Sequence, residues 1–428
     1  MKTAIVVGSG AGGAAVAREL QGDFAVTILE AGRAFRPFGW DLRVPTAVKR
    51  AGLLRDAREI RVLFPAMKID LAKGGLVHVR GIGTGGTTTI ATGNGLRLDD
   101  DLKAIGIDLD REFLELAREI PMTVDHRSRW RPPTKKLFEA ASEMGLDPRP
   151  TPKMGHHRHC RNCGRCVLGC PHGVKWDSRV FLNEALAKGA KLETGAKVAC
   201  LELRGNDAVG VRVRKGFGSR IKTADLVVLA AGGLGTPEIL AASGIPGESR
   251  LFVDPVLCVA APFPGAHQDR ELPMPFYLRK DVSMISPYFD HFSFFFNPRW
   301  RPPADGILSL MIKLADESRG SFARRRLEKN LTPADQTRLA AAVDLCTEIF
   351  GRMGIPAGKL FLGTLNAGHP GGMVPLTAAE SVTLHHDRLP GNVYIADASL
   401  FPAALGRPPI LTIIALARKV ARRIIENA

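Results

Sequence analysis

No stretch of this 428-residue chain approaches the ~18 consecutive apolar residues of a helical membrane span, which excludes a transmembrane helix. Room for a secretory leader is lacking too, because the run TAIVV at residues 3–7 already reads as a buried strand. A cytoplasmic protein is the expectation. Acid is scarce relative to base. The 43 Asp and Glu against 59 Lys and Arg leave a net charge of +16, which favours an acidic partner or an anionic substrate and says nothing about fold. The basic residues fall into dispersed clusters: Arg127, Arg129, Arg131, Lys135 and Lys136; Arg319 with Arg324, Arg325 and Arg326; Arg418, Lys419, Arg422 and Arg423. No nucleic-acid-binding motif accompanies them, so no nucleic acid is expected as a partner. The last cluster lies in the final turns of a predicted C-terminal helix, where the macrodipole favours cations. Cysteine is sparse as well, at seven residues, and four of those crowd between 160 and 170. That is not the evenly spread even set of a secreted disulfide scaffold; in a reducing compartment it points to metal.

What is present is ordinary globular material, 45% hydrophobic and 24% charged, long enough for two or three structural units. Glycine is the exception. Its 45 residues exceed the ~7% background and cluster without a period, which points to tight turns that approach a ligand closely.

The strand at residues 3–7 runs straight into GSGAGG at 8–13, a G-x-G-x-x-G match. A helix-forming stretch (14–20) and a second strand (24–29) follow, ending at Glu30. This is a complete βαβ opening for an adenine dinucleotide. Gly8 makes the turn, Gly10 lets backbone N–H groups reach a pyrophosphate at the positive helix end, and Gly13 lets the helix sit close on the strand. Glu30 can accept from a ribose hydroxyl. NAD and FAD both fit this fingerprint.

Later segments make the choice. GIGTGGTTTIATGN at 81–94 is a second loop rich in N–H and O–H donors. ADLVVLAAGGLGTP at 224–237 is a buried strand turning into a helix, and NVYIADASLFP at 392–402 leads into an amphipathic helix with Ile410, Ile413, Ile414, Ala417, Ala421 and Ile424 on one face. With HPGG at 369–372, these five motifs stand in the order found in the glucose-methanol-choline (GMC) oxidoreductases, which the chain resembles.

The resemblance implies an α/β fold, with a Rossmann-like FAD-binding domain and a second α+β substrate domain on a mostly antiparallel sheet. Along the chain it implies FAD-binding segments at 1–125, 181–250 and 376–428, a cysteine-rich insertion at 126–180 and a substrate domain at 251–375. It places Gly85, Gly86 and Thr87 along the flavin side of FAD and Asp397 facing the flavin ring and ribityl chain, beside a helix N-terminus that would stabilise negative charge on the reduced ring. It makes His369 the general base that takes the hydroxyl proton of an alcohol; His385 and His386 hold no such motif position. One departure stands out. Where the family carries an N-P-x-x-T pattern, the chain has Arg407, Pro408, Pro409 and Thr412, so a second polar group at the substrate oxygen is missing. Arg407 could instead hold an anionic substrate or be a surface residue. The chain also looks short for the family, which implies a reduced lid, with an open site or one completed by a partner subunit.

Cys160, Cys163, Cys166 and Cys170, followed by Pro171, match the C-x2-C-x2-C-x3-C-P run whose thiolates hold a [4Fe-4S] cluster. Zinc prefers two separated C-x2-C pairs, although a zinc or structural-thiol site remains the alternative. No second run exists, so the fourth ligand is Cys170, or a remote thiol among Cys200, Cys258 and Cys346, or one of His156, His157 and His159. A cluster beside a flavin relays electrons singly to an outside carrier, which favours a dehydrogenase over an oxygen-using oxidase; an acidic carrier or partner subunit would suit the basic surface.

Nine of the 27 aromatics fall within residues 276–300. The alternation of Phe292, Phe294 and Phe296 predicts a strand with one apolar face, either sheet core, the favoured reading, or a pocket wall for a hydrophobic substrate. The expectation is therefore an FAD-dependent dehydrogenase of CH–OH substrates with a [4Fe-4S] relay. Its rivals are a reductase of a substrate double bond, a lyase or isomerase with structural FAD, and an electron-transfer subunit.

Overall fold

The computed structural model describes residues 1–39, 42–52, 59, 64–72, 74–216 and 218–428. The strand Thr3–Val7 lies at the centre of a five-stranded parallel sheet, between Leu226–Leu229 and Ala25–Glu30, with Val393–Ile395 and Lys191–Thr194 at the edges. Residues 4–7 are fully apolar and buried, as a strand covered on both faces requires. The first helix, Ala11–Leu20, packs against the C-terminal helix Ile410–Glu426 and against Arg179–Ala187. Its small residues let it approach closely: a Cβ added to Gly12 would sit 1.7 Å from the Ala396 carbonyl oxygen, and one on Gly13 would sit 2.0 Å from that of Gly8. The last strand and helix thus close on the first, in the expected doubly wound α/β arrangement. A three-stranded antiparallel meander spanning Lys197–Arg204, Asp207–Lys215 and Gly218–Thr223 packs beside it.

The second unit is a nine-stranded, mostly antiparallel sheet centred on Val256–Pro262 and Ile307–Leu314. The helix Pro333–Arg352, started by a reciprocal Thr332–Asp335 capping box, packs against it. This sheet draws strands from several parts of the chain: Met67–Leu71 and Val77–Gly81 at one end, Arg149–Pro150 at the other, and Asn366–Ala367 between. Both layers of the α/β plan are present, while the sheets cross the linear segments.

One expectation is corrected and another extended. Residues 291–296 form a short helix, His291–Phe296, whose N-cap Asp290 accepts from the Phe292 N–H, and not a strand. The Arg418 and Arg422 pair is held by carboxylates as well as by its helix end: Arg418 donates to Glu19 and Glu119 at 3.0 and 2.7 Å, and Arg422 to Glu112 at 2.7 Å and to Glu115. These ion pairs tie the last helix to the first and to Asp110–Glu119.

Candidate functional site

The nucleotide end is made of backbone. Gly8 turns the chain at φ +102°, where a Cβ would lie 2.3 Å from the Ala230 oxygen, so only glycine fits. Gly10 caps the first helix with no side chain across it, which leaves the first-turn N–H groups facing outward. Glu30 is buried. One carboxylate oxygen accepts from the Ser9 N–H and O–H at 3.2 and 2.6 Å, and the other from the Gly32 N–H at 2.8 Å. Ser9 Oγ in turn accepts from Gly85 N–H at 3.2 Å, and a Cβ on Gly86 would sit 3.0 Å from the Gly10 Cα. The two glycine loops predicted from far apart therefore meet face to face, and Glu30 staples them through Ser9, a residue the motif leaves as "x".

Asp397 is buried and its carboxylate is fully engaged. It accepts from Gly232 N–H at 2.8 Å, Thr236 O–H at 2.5 Å and Ser399 N–H at 2.9 Å, and burial raises its pKa. It locks the start of the helix Gly232–Ala242 to the segment after the last strand, and Gly12 presses on the carbonyl of the preceding Ala396. Residues 372, 374 and 376 donate backbone bonds to Ala398, Ser399 and Leu400, so the loop that begins at His369 is laid along this same segment.

His369 opens onto a cavity that Thr87 also lines, which links the second glycine loop to the histidine. Its Nδ1 stands 3.3 Å from Asp254 Oδ2 and 3.3 Å from Lys313 Nζ, leaving Nε2 for the cavity. Burial, and next the Lys313 charge, hold the imidazole pKa well below its usual value, so the ring is neutral. Asp254 is fully buried at φ +49° and accepts from Gly406 N–H at 2.9 Å; burial pushes its pKa up to about 7. His78, on the strand Val77–Gly81, is buried with neither ring nitrogen hydrogen-bonded among the described residues, Asp70 standing 4.0 Å from Nδ1. Much of the wall is apolar, with Phe292, Phe295 and Phe296 from the short helix and Phe64, Met67 and Met311 around them, while Asn94, Asp290, His291 and Asn366 add polar groups. Phe294 is core, so the aromatic run serves both purposes at once.

Arg407 does not reach this cavity. Pro408 lines it instead, and Arg407 faces a separate cavity of about 620 Å³ with Asp100, Asp101 and Arg279. The idea that Arg407 holds the substrate is corrected accordingly. The cation present is Lys313, which motif reading missed. Its signal was a lone lysine inside the apolar strand ILSLMIKL (residues 307–314).

Cys160, Cys163, Cys166 and Cys170 are all free thiols and line one small pocket. Asn162 and Gly164 adopt left-handed conformations (φ +49° and +68°), and a Cβ on Gly164 would sit 1.9 Å from the Asp269 oxygen. The loop thus curls its thiols inward. Burial pushes the Cys166 thiol up to about 12, opposed by the Lys175 and Lys153 charges. Lys175 donates to the carbonyls of Thr88, Thr89 and Ala91 at 2.8–2.9 Å, and Lys153 to Asn94 Oδ1 and the Pro273 carbonyl at 2.5 and 2.6 Å. His157 also lines the cavity, whereas His156, His159, Cys200, Cys258 and Cys346 do not. Among the described residues, no group of three or more His, Cys, Asp or Glu is set to hold a metal ion. The turn Cys166–Leu168 packs on the second glycine loop, Gly86–Ile90, and its Val167 and Leu168 form part of the wall of the His369 cavity. Among the described residues no helix is long and apolar enough to cross a membrane.

A family model described as GMC oxidoreductase matches residues 4–257. An uncharacterised GMC-type oxidoreductase of Mycobacterium tuberculosis is 32% identical over 287 residues, covering 62% of this chain and 43% of that protein, so the chain spans less than half the length of this relative. An uncharacterised protein of Methanocaldococcus jannaschii is 23% identical over 427 residues, 98% of this chain and 99% of its own. Among solved structures, pyridoxine 4-oxidase from Mesorbium loti superposes with a TM-score of 0.74 over 99% of both chains at 18% identity, a likeness of fold.

Proposed function

The chain belongs to the GMC oxidoreductase family, and from that premise we propose that it is an FAD-dependent dehydrogenase of CH–OH substrates whose four clustered cysteines hold a [4Fe-4S] cluster. FAD is the cofactor expected of the family. The open N-terminus of the first helix, the Gly8 turn and the facing Gly85–Gly86 backbone form a cradle that fits it. Gly8, Gly10, Gly13, Glu30, Gly85, Gly86 and Thr87 would hold FAD, with Asp397 fixing the loop geometry behind them. Bound there, FAD supplies the acceptor for a hydride from the carbinol carbon.

The chain's own part is proton handling. Neutral His369 offers Nε2 to the substrate hydroxyl, which requires the tautomer in which Nδ1–H donates to Asp254. The apolar walls exclude water from the carbon that is oxidised. Each carbonyl formed gives up a hydride from carbon and a proton from oxygen, two electrons and two protons in all, so a one-electron carrier is reduced twice per turnover.

The observation that carries the reading is the shared wall: the turn Cys166–Leu168 touches both the thiol cavity and the His369 cavity, so a cluster there would supply a one-electron exit beside the flavin loop. A cubane takes one thiolate at each of four corners, so its ligands stand further apart than those of a single ion. The two buried lysines, Lys153 and Lys175, provide the positive surroundings that a dianionic thiolate cluster needs. Exposed Arg158 and Arg161 flank the cavity, in keeping with an acidic carrier protein.

The test is protein prepared without air. About four irons and four sulfides per chain, a flavin bleached by an alcohol and re-oxidised by a one-electron acceptor are the expected results. Fewer irons at full occupancy would remove the cluster; a flavin that no alcohol reduces would leave a lyase or an electron-transfer subunit.

A further inference from the structure

Among the described residues four lysines are buried: Lys153, Lys175, Lys313 and Lys329. Three of them have their donors engaged by oxygen. Lys329 pairs with Asp316 at 2.6 Å and donates to the carbonyls of Leu251, Glu317 and Arg319. Lys175 serves three carbonyls, and Lys153 serves Asn94 Oδ1 and one carbonyl. Lys313 differs. The only atom within hydrogen-bond distance of it among the described residues is His369 Nδ1 at 3.3 Å, and no carboxylate there lies within ion-pair distance. With the Nδ1–H turned to Asp254 that nitrogen accepts nothing, so the three N–H donors of Lys313 are unspent, on a side chain that lines the cavity from near the end of the strand Ile307–Leu314.

A buried ammonium is tolerated only where oxygen lone pairs or an opposite charge replace the water it lost. Asp254 and Asp316 act on Lys313 by charge alone, from beyond ion-pair distance; among the described residues none of the polar side chains of the cavity, Asn94, Tyr288, Asp290 and Asn366 included, bonds to it, and Phe292, Phe295, Phe296 and Met311 have no oxygen to offer. Burial lowers its pKa only to about 8, so the group stays cationic near neutrality. Asp254, the nearest carboxylate in the corner, already accepts from Gly406 with one oxygen and faces His369 with the other. The missing partner must therefore arrive with the ligand.

We propose that Lys313 is the anion-holding residue of the cavity, and that the substrate is an alcohol carrying a carboxylate or comparable oxyanion within a bond or two of its carbinol carbon, on an apolar body. This deepens the dehydrogenase reading and rests on it for the alcohol. The short separation of Lys313 Nζ from the His369 ring places the anionic group beside the reacting hydroxyl and not at the far end of the cavity, while the phenylalanine wall takes the hydrocarbon. Lys313 also occupies the role left open where Pro408 replaces a polar residue.

The probe is benzoate against its neutral isostere benzamide, titrated into the oxidised holoenzyme by calorimetry and by perturbation of the flavin absorption. Benzoate should bind at least tenfold more tightly. Lys313→Met should abolish that preference with FAD content and thermal melting retained, and Lys313→Arg should keep it. Equal affinities, no binding of either probe, or a preference that survives Lys313→Met would each overturn the proposal. If Lys313→Met fails to fold, Lys313→Gln in the same titration decides. Calorimetry reads the preference whether or not flavin is bound, so failure of the flavin assignment shows separately, as a colourless protein.

Discussion

The two cavities on either side of the turn Cys166–Leu168 are built from opposite materials. On one side, largely aromatic and thioether walls enclose His369 and a lysine with spare donors. On the other, four thiols stand in a loop backed by two lysines and open towards arginines. The first environment suits removal of a hydride and a proton in a water-poor space; the second suits a dense negative charge close to the surface. Their common wall teaches that two such different environments need not be separated by a domain interface. A three-residue turn, packed on Gly86–Ile90, is enough to hold them apart and in contact.

The comparison breaks most visibly at His369. His369→Ala should slow anaerobic flavin reduction by about 10²–10⁴-fold while FAD and iron content stay at wild-type levels; an unchanged rate in stopped-flow would move the base elsewhere. Asp254 is a positioning residue acting through His369. Asp254→Asn should cost roughly 10–10²-fold in the reduction rate with little change in KM, because the amide no longer favours the Nδ1–H tautomer. The pH profile separates this from a structural effect. With the carboxyl raised to about 7 by burial, it is ionised above that pH and protonated below it. The wild-type rate should therefore fall as pH drops through about 7, and the asparagine variant should lose that limb.

On the other side of the wall, Cys163→Ser should lower the iron content and cut reduction of a one-electron acceptor at least about tenfold, while flavin reduction by substrate changes less than about twofold. Equal losses in both half-reactions would show that the cavities are not separable. The smallest effect is expected at the surface. Arg161→Glu should reduce the bimolecular rate with an acidic carrier several-fold at low salt, with the difference vanishing at high ionic strength.

How much of this was legible in the chain differs by region. The nucleotide cradle could be read directly, because its function resides in backbone conformation: Gly8 and Gly10 act through what they lack, and that shows in a local pattern. The cysteine loop was legible for the same reason, four thiols within eleven residues. The catalytic corner was legible only at His369, through motif order. Asp254 lies 115 residues from His369 and Lys313 lies 56 residues away, and no local pattern joins them. The run at 291–296 was read as a strand because alternate phenylalanines mimic a two-residue period. The N-cap Asp290, with Phe292 and Phe296 four apart on the cavity side, was the signal for a helix.

By itself the amino-acid order determined the doubly wound nucleotide unit, the family and the ligand-like thiol spacing, since each depends on short-range sterics and periodicity. Only the tertiary structure decided that Glu30 clamps one glycine loop to the other through Ser9, that Pro408 and not Arg407 lines the cavity of His369, and that a lysine with unspent donors stands beside that histidine. Those arrangements depend on which distant strands become neighbours in a sheet, and burial, which gives such neighbours their chemistry, exists only once the chain has closed.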